Sequence, residues 1–426
     1  MLSAARRRIF SASSSLRNSV RARPFATSPK SAAKTLTPGL LAVGAGTAVA
    51  GGTLFFKKQP VIANESPLTV EPEFEPDLSI FPEGLNAEVP LVELGSVYEI
   101  IPGLKPEMLM REKMELLLKF YQKEIVAGLE RADSSGKTFI VDEWTRGENM
   151  GGGITRVFQD GRVFQKGGVN FSAIYGELPP AAAQRMHANH SELKVPENGK
   201  LPFYACGLSL VIHPQHYLAP SVHLNYRYFE TLNEDGTPQS WWFGGGQDLS
   251  PMYYNKDDAT HFHKLLKEFC DFHDPTYYSR FKKWADDYFR IKFRNEARGI
   301  GGIFFDDLHD KEPDMLFKFV GDGLSRFLPS YLPAVKRAYL PAAGGEERPT
   351  PEAGKHWQGI RRGRYAEFNL AVDRGTQFGL QTPGSRIESI LMTLPKHCSW
   401  EYNYHPGPET LEGKTVEVLK NPIEYV

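Results

Sequence analysis

The fold is decided by Leu208–Asp248, LSLVIHPQHYLAPSVHLNYRYFETLNEDGTPQSWWFGGGQD. Within it, SVHLNYRYF (Ser221–Phe229) alternates with a period of two. His223, Asn225 and Arg227 fall on one face of a strand, and Val222, Leu224, Tyr226 and Tyr228 on the other. Upstream, LSLVIHP places Ser209 and His213 on a shared face, and the nine residues between His213 and His223 suit antiparallel pairing. Downstream, the turn signal Asn233–Gly236 (NEDG) leads into WWFGGGQD, a third strand expected to end in flexible glycines beside Asp248. Three neighbouring strands then bring imidazole, amide, guanidinium and carboxylate groups into one region, with one face for packing and one for chemistry.

Outward from this centre, MLMREKMELLLKFYQKEIVAGLE puts Met110, Met114, Leu117, Leu118, Tyr121 and Ile125 on one stripe of an amphipathic helix. Asp160-Gly161 marks a tight hairpin. Asn255 caps a helix to about Phe272, and a second helix is expected over Ser279–Arg298 with Phe281, Trp284, Tyr288 and Ile291 inward. GIGGIFFDDL returns to strand, and its glycines precede that strand, which argues against a dinucleotide fingerprint. Pro341–Gly354 reads as a loop, YAEFNLAVDRGTQFGL as strand, and RIESILMTLP as a short helix before a tail. Hairpins at the centre with helices clustered in sequence indicate an α+β fold, a large antiparallel β-sheet with helices packed over it, as one domain over 103–426.

The N-terminal part has another composition. No acidic residue precedes Glu65, while Arg6, Arg7, Arg8, Arg17, Arg21 and Arg23 alternate with Ser and Ala, the pattern of a mitochondrial presequence over 1–60. Within it the uncharged run 40–56, followed by Lys57 and Lys58, is short for a bilayer span of roughly 20 residues. A bipartite signal fits, delivering the protein to the intermembrane space, with inner-membrane association through this segment as the alternative. Residues 61–102, proline-rich and acidic, read as an extended arm. A formal net charge of -1 does not recommend nucleic acid. Cys206, Cys270 and Cys398 are too far apart for a disulfide framework or an iron–sulfur cluster.

The segments VHLNYRYFE, WWFGGGQDLSP, RGIGGIFFDDL and GLQTPGSRIESILM resemble the oxygen-dependent coproporphyrinogen III oxidases of haem biosynthesis, from about Leu94 to the C-terminus. The resemblance implies coproporphyrinogen III as substrate and dioxygen as co-substrate, with two propionates becoming vinyl groups to give protoporphyrinogen IX, CO2 and H2O2. It implies a single catalytic domain whose large antiparallel β-sheet is flanked by α-helices on both faces, a homodimer, His223 as proton donor, and substrate contacts at Ser209, Asn225, Tyr226, Arg227, Gly384, Ser385 and Arg386. On its chemistry, Asp248 suits the central pyrrole N–H groups, and arginines grip propionates in a bidentate way. A tight ion pair on a reacting carboxylate would stabilise the ground state, so the strongest arginines are expected on the retained propionates. Tyr226 is expected to contribute through its backbone. Arg298, Arg374, Arg361, Arg362 and Arg364 are secondary candidates for the propionates, read first as surface or dimer-interface charges. The metal histidines of some bacterial members match His213, His223 and His263, but the fourth position is Phe293, so no metal and no organic cofactor are expected. A non-catalytic tetrapyrrole carrier and a metal-dependent oxygenase are the competing readings.

Overall fold

A computed structural model of the chain describes residues 77–180, 183–184, 193–195, 199–342, 345–381 and 385–426. The presequence, its apolar run, residues 61–76 of the arm and Gly384 lie outside the described residues.

Seven strands form one antiparallel sheet in the order β1-β2-β3-β4-β5-β6-β9. They are β1 Ile140–Thr145, β2 Gly151–Gln159, β3 Phe164–Leu178, β4 Leu201–Pro214, β5 Ser221–Leu232, β6 Pro238–Ser250 and β9 Gly302–Leu308. A separate two-stranded ribbon joins β7 Arg290–Ile291 to β8 Glu296–Ala297. The register sets Ser209 opposite Asn225, Val211 opposite His223, and His223 opposite Asp248. Alternation therefore sorts the two faces. Leu208, Leu210, Leu224, Tyr226, Tyr228, Phe243 and Phe305 join the main core, and the opposite face carries Asn170, Ser209, His223, Asn225, Arg227 and Asp248. β6 runs through Gly244–Gly246 instead of ending there. At Gly302 the backbone has φ +155°, and an added Cβ would lie 1.9 Å from the Gln247 carbonyl, so only glycine lets β9 approach β6.

The helices used below are α1 Met110–Asp133, α2 Lys256–His273, α3 Tyr277–Tyr288, α4 Pro313–Ser325, α5 Phe327–Tyr339, α6 Pro351–Glu367, α7 Arg374–Gln381, α8 Ile387–Leu391 and α9 Leu411–Lys420. α1 buries the expected stripe of Met114, Leu117, Leu118, Tyr121 and Ile125, and it lies with α2, α4 and α5 against the apolar face. Asn255 caps α2 by accepting from the Asp258 N–H at 3.0 Å. The segment from α6 to Thr393 covers the polar face: Asn170 donates to the Ser389 carbonyl at 2.9 Å, and His213 donates to that of Thr393 at 2.9 Å. The α+β sheet with helices on both sides is thus the observed architecture.

Four expectations need correction. The second helix stops at Tyr288, because the chain turns into β7 and β8 through Asn295 at φ +54°, and Trp284 is on the surface. Residues 365–381 are helical: α6 ends in a π-helical turn, Phe368–Val372, and α7 follows. The tail carries α9. The arm is packed from residue 83 onward, with Leu85, Val97 and Ile101 in the core and the Gly95 N–H held by both oxygens of Asp322.

Candidate active site

The polar face floors a cavity of about 420 Å³. Its floor is Asn170, Ser209, His223, Asn225, Arg227 and Gly246. Its walls are the rings of Tyr288, Phe289, Phe304 and Phe368, with Asn369, Asp373 and Met392 above. Tyr288 stacks on Phe304 with centroids 4.0 Å apart. A cavity of this size, with aromatic rings on its walls and polar groups on its floor, fits an organic ligand that carries polar substituents.

Behind the floor lies a buried ionic array. His223 Nδ1 donates to Asp248 Oδ1 at 2.8 Å. Arg298 Nε donates to Oδ2 at 2.9 Å, and its Nη2 donates to Oδ1 at 2.6 Å. Asp248 has no solvent exposure. Burial pushes its carboxyl up, but the charge of Arg298 and the bond from His223 outweigh this, and the group stays below the ordinary carboxylate range. Arg298 is enclosed as well, with its guanidinium 4.5 Å from the Phe289 ring, 4.6 Å from Phe368 and 4.7 Å from Tyr365, and Nη1 donating to Asn369. Asp248 does not line the cavity, and both its oxygens are engaged, so its partners differ from the pyrrole N–H groups expected from sequence. With the Nδ1 proton held by Asp248, His223 Nε2 is the ring nitrogen left for the cavity.

Arg227 lines the cavity with a half-exposed side chain. Its Nη1 donates to Asn225 Oδ1 at 3.0 Å, and its Nη2 pairs with Asp306 at 2.9 Å. Gly244 makes room for this, since a Cβ there would sit 2.6 Å from Arg227 Nε. Tyr226 is in the core on the opposite face and does not reach the cavity. Ser385 and Arg386 are not among the lining residues. Arg386 is exposed and pairs with Asp142 on the edge strand β1. Arg298, Arg361 and Arg362 are all buried, which overturns their reading as surface charges, whereas Arg374 is exposed.

The histidines that match a metal set do not form one. Nδ1 of His213 accepts from Ser221 at 2.9 Å and its Nε2 donates to Thr393. His263 is held by Tyr278 and the Ile300 carbonyl. Burial holds both imidazoles down to about 3, hence neutral. Phe293 is exposed. Among the described residues no three His, Cys, Asp or Glu side chains could hold a metal ion together.

A polar-floored, aromatic-walled cavity on an antiparallel sheet, with a carboxylate-backed histidine on its floor, defines an enzyme site for an organic substrate. Residues 113–425 match the family described as coproporphyrinogen III oxidase. The chain is 53% identical over 317 residues to the oxygen-dependent coproporphyrinogen-III oxidase of Drosophila melanogaster, covering 74% of this chain and 78% of that one. It is 50% identical over 317 residues to the mitochondrial enzyme of Homo sapiens, covering 74% and 67%. To the chloroplastic enzyme of Hordeum vulgare it is 47% identical over 325 residues, covering 74% and 80%. The chain belongs to the coproporphyrinogen III oxidase family.

Proposed function

We propose that the chain catalyses oxygen-dependent decarboxylation of two propionates of coproporphyrinogen III to vinyl groups, giving protoporphyrinogen IX in haem biosynthesis. For each propionate, the carboxylate leaves as CO2 and the side-chain carbon attached to the pyrrole ring loses a proton and two electrons; these, with one further proton, reduce O2 to H2O2. The observation that carries this reading is the buried His223–Asp248–Arg298 array at the floor of an aromatic cavity. Asp248, fixed by Arg298, sets the His223 tautomer, so that Nε2 faces the cavity and takes a pyrrole N–H proton and returns one to reduced oxygen. Loss of that proton makes the pyrrole a stronger electron donor. Tyr288, Phe289, Phe304 and Phe368 hold the rings. Ser209, Asn225 and Arg227 take propionates from the floor, and Ser385 and Arg386, with Gly384 beside them, take one at the mouth when Arg386 exchanges Asp142 for substrate. Tyr226 contributes by keeping Asn225 and Arg227 in register. No metal or organic cofactor takes part in this reading; engagement of both ring nitrogens in His213 and in His263 supports it.

The test is turnover of the reduced tetrapyrrole by EDTA-treated protein in air, following protoporphyrin fluorescence, CO2 and peroxide beside an anaerobic control. Activity lost to chelator and restored by a metal would overturn the cofactor-free part; porphyrin binding without CO2 would overturn the enzyme reading.

We also infer a homodimer in the mitochondrial intermembrane space. The acid-free N-terminus and the relatives named mitochondrial in rat, human and mouse support the organelle. Among the described residues no helix is long and apolar enough to cross a membrane, and inner-membrane association would fall to the run 40–56. Light scattering and protease protection in fractionated mitochondria test these points.

A further inference from the structure

A second cavity, of about 800 Å³, shares no lining residue with the first. Arg362 of α6 lines it and is 2% exposed. Its Nη1 donates to Gln165 Oε1 at 2.7 Å and its Nη2 donates to the Pro214 carbonyl at 2.5 Å, while its buried Nε has no partner. Other buried arginines nearby have a carboxylate each, Asp248 for Arg298 and Glu296 for Arg361. No described acidic side chain makes an ion pair with Arg362. A buried guanidinium without a counter-charge is costly, and neutral carbonyl oxygens offset only part of that cost. Burial accordingly holds its pKa down, to about 10.

The rest of the lining indicates what completes the pair. Gln165, Gln215 and Gln358 supply amides, and Lys355, Lys396 and His397 are also in the lining, Lys355 donating to the Gln215 carbonyl at 2.7 Å. Of the acids present, Asp160 is engaged by Lys396 at 2.9 Å and Asp77 accepts from Ser79, which leaves Glu352 in the first turn of α6. The lining has no Phe, Tyr or Trp ring on which a flat macrocycle could stack, and its guanidinium, ammonium and amide groups are those that hold oxyanions.

We propose that this cavity binds a small, hydrophilic, multiply charged oxyanion, with Arg362 as the buried anchor. The site stands independently of the tetrapyrrole reading. Inorganic phosphate and succinate are the two probes, separating a phosphate from a dicarboxylate ligand, each titrated into the full chain at constant ionic strength against chloride. The expected result is a saturable rise in melting temperature with one or both, and a calorimetric Kd that weakens at least about tenfold in Arg362→Met. The exposed-surface control Arg280→Gln keeps the response. Gln165→Glu places a carboxylate within reach of Nη1. It should melt higher than the parent in chloride alone and lose its response to both anions. A parent protein that shows no saturable response to either anion overturns the proposal, and so does a Gln165→Glu protein that still responds.

Discussion

Arg298 grips Asp248 through two hydrogen bonds, at 2.9 and 2.6 Å, across fifty residues of sequence and with almost no solvent contact for either group. The carboxylate is thereby a fixed part of the protein interior, and it reaches the cavity through His223. Its substitution has to affect folding as well as turnover.

Asp248→Asn removes the counter-charge of a buried guanidinium. A loss of about 3–5 kcal/mol in urea unfolding is expected, as for other broken buried pairs. Asp248→Asn combined with Arg298→Met should regain much of that stability while turnover stays low. A double variant with near-normal turnover would remove the array from the mechanism.

His223→Asn retains a polar group and loses proton transfer. Turnover should fall about 10²–10⁴-fold, the range for a lost general acid or base, with little change in KM. A fall confined to KM would assign His223 to binding alone.

Arg227→Lys keeps charge but loses the fork that spans Asn225 and Asp306. Affinity for coproporphyrinogen III should weaken about tenfold, near 1.4 kcal/mol, with the single-turnover chemical rate little changed. The reverse split, slower chemistry at unchanged affinity, would show that Arg227 faces a reacting propionate.

His213 and His263 are neutral in the fold, held down to about 3, whereas an imidazole in the unfolded chain protonates near 6.5. Between these values the unfolded state binds more protons. The stabilisation is complete above pH 6.5 and is lost as pH falls toward 3, by up to about 1.4 kcal/mol per pH unit for each group. His263→Gln should flatten the pH dependence of the urea midpoint between 6.5 and 4. An unchanged slope would show that the unfolded-state protonation of His263 does not drive acid unfolding.

Gly302→Ala places a Cβ 1.9 Å from the Gln247 carbonyl and would part β9 from β6. A stability loss of roughly 2–4 kcal/mol is expected, together with reduced turnover, because β9 carries the cavity residue Phe304. Thermal unfolding by circular dichroism measures the first and the aerobic assay the second.

Much of the working face was legible because strand alternation is local. His223, Asn225 and Arg227 could be placed on one face of their strand from spacing, and Ser209 with His213 on one face of another; the register that sets Ser209 opposite Asn225 brings Ser209 and those three to the cavity floor. The stretch 365–380 was misread because Phe368, Leu370 and Val372 alternate with a strand's period of two. Packing of Phe368 against Phe289 and Tyr288, and the bond from Tyr288 to Asp373, hold the segment helical over the cavity. The aromatic walls left no short-range signal, since their rings come from α3, β9 and the π-helical turn.

By itself the sequence determined which side chains share a strand face, because the two-residue period of a strand is a property of the local backbone. Only the tertiary structure decided that Arg298, which looks like any surface arginine in the chain, is the buried counter-charge of Asp248. It likewise decided that Arg362, of the same residue type, is enclosed without one. Burial and ion pairing depend on where distant segments return, and no local pattern encodes that return.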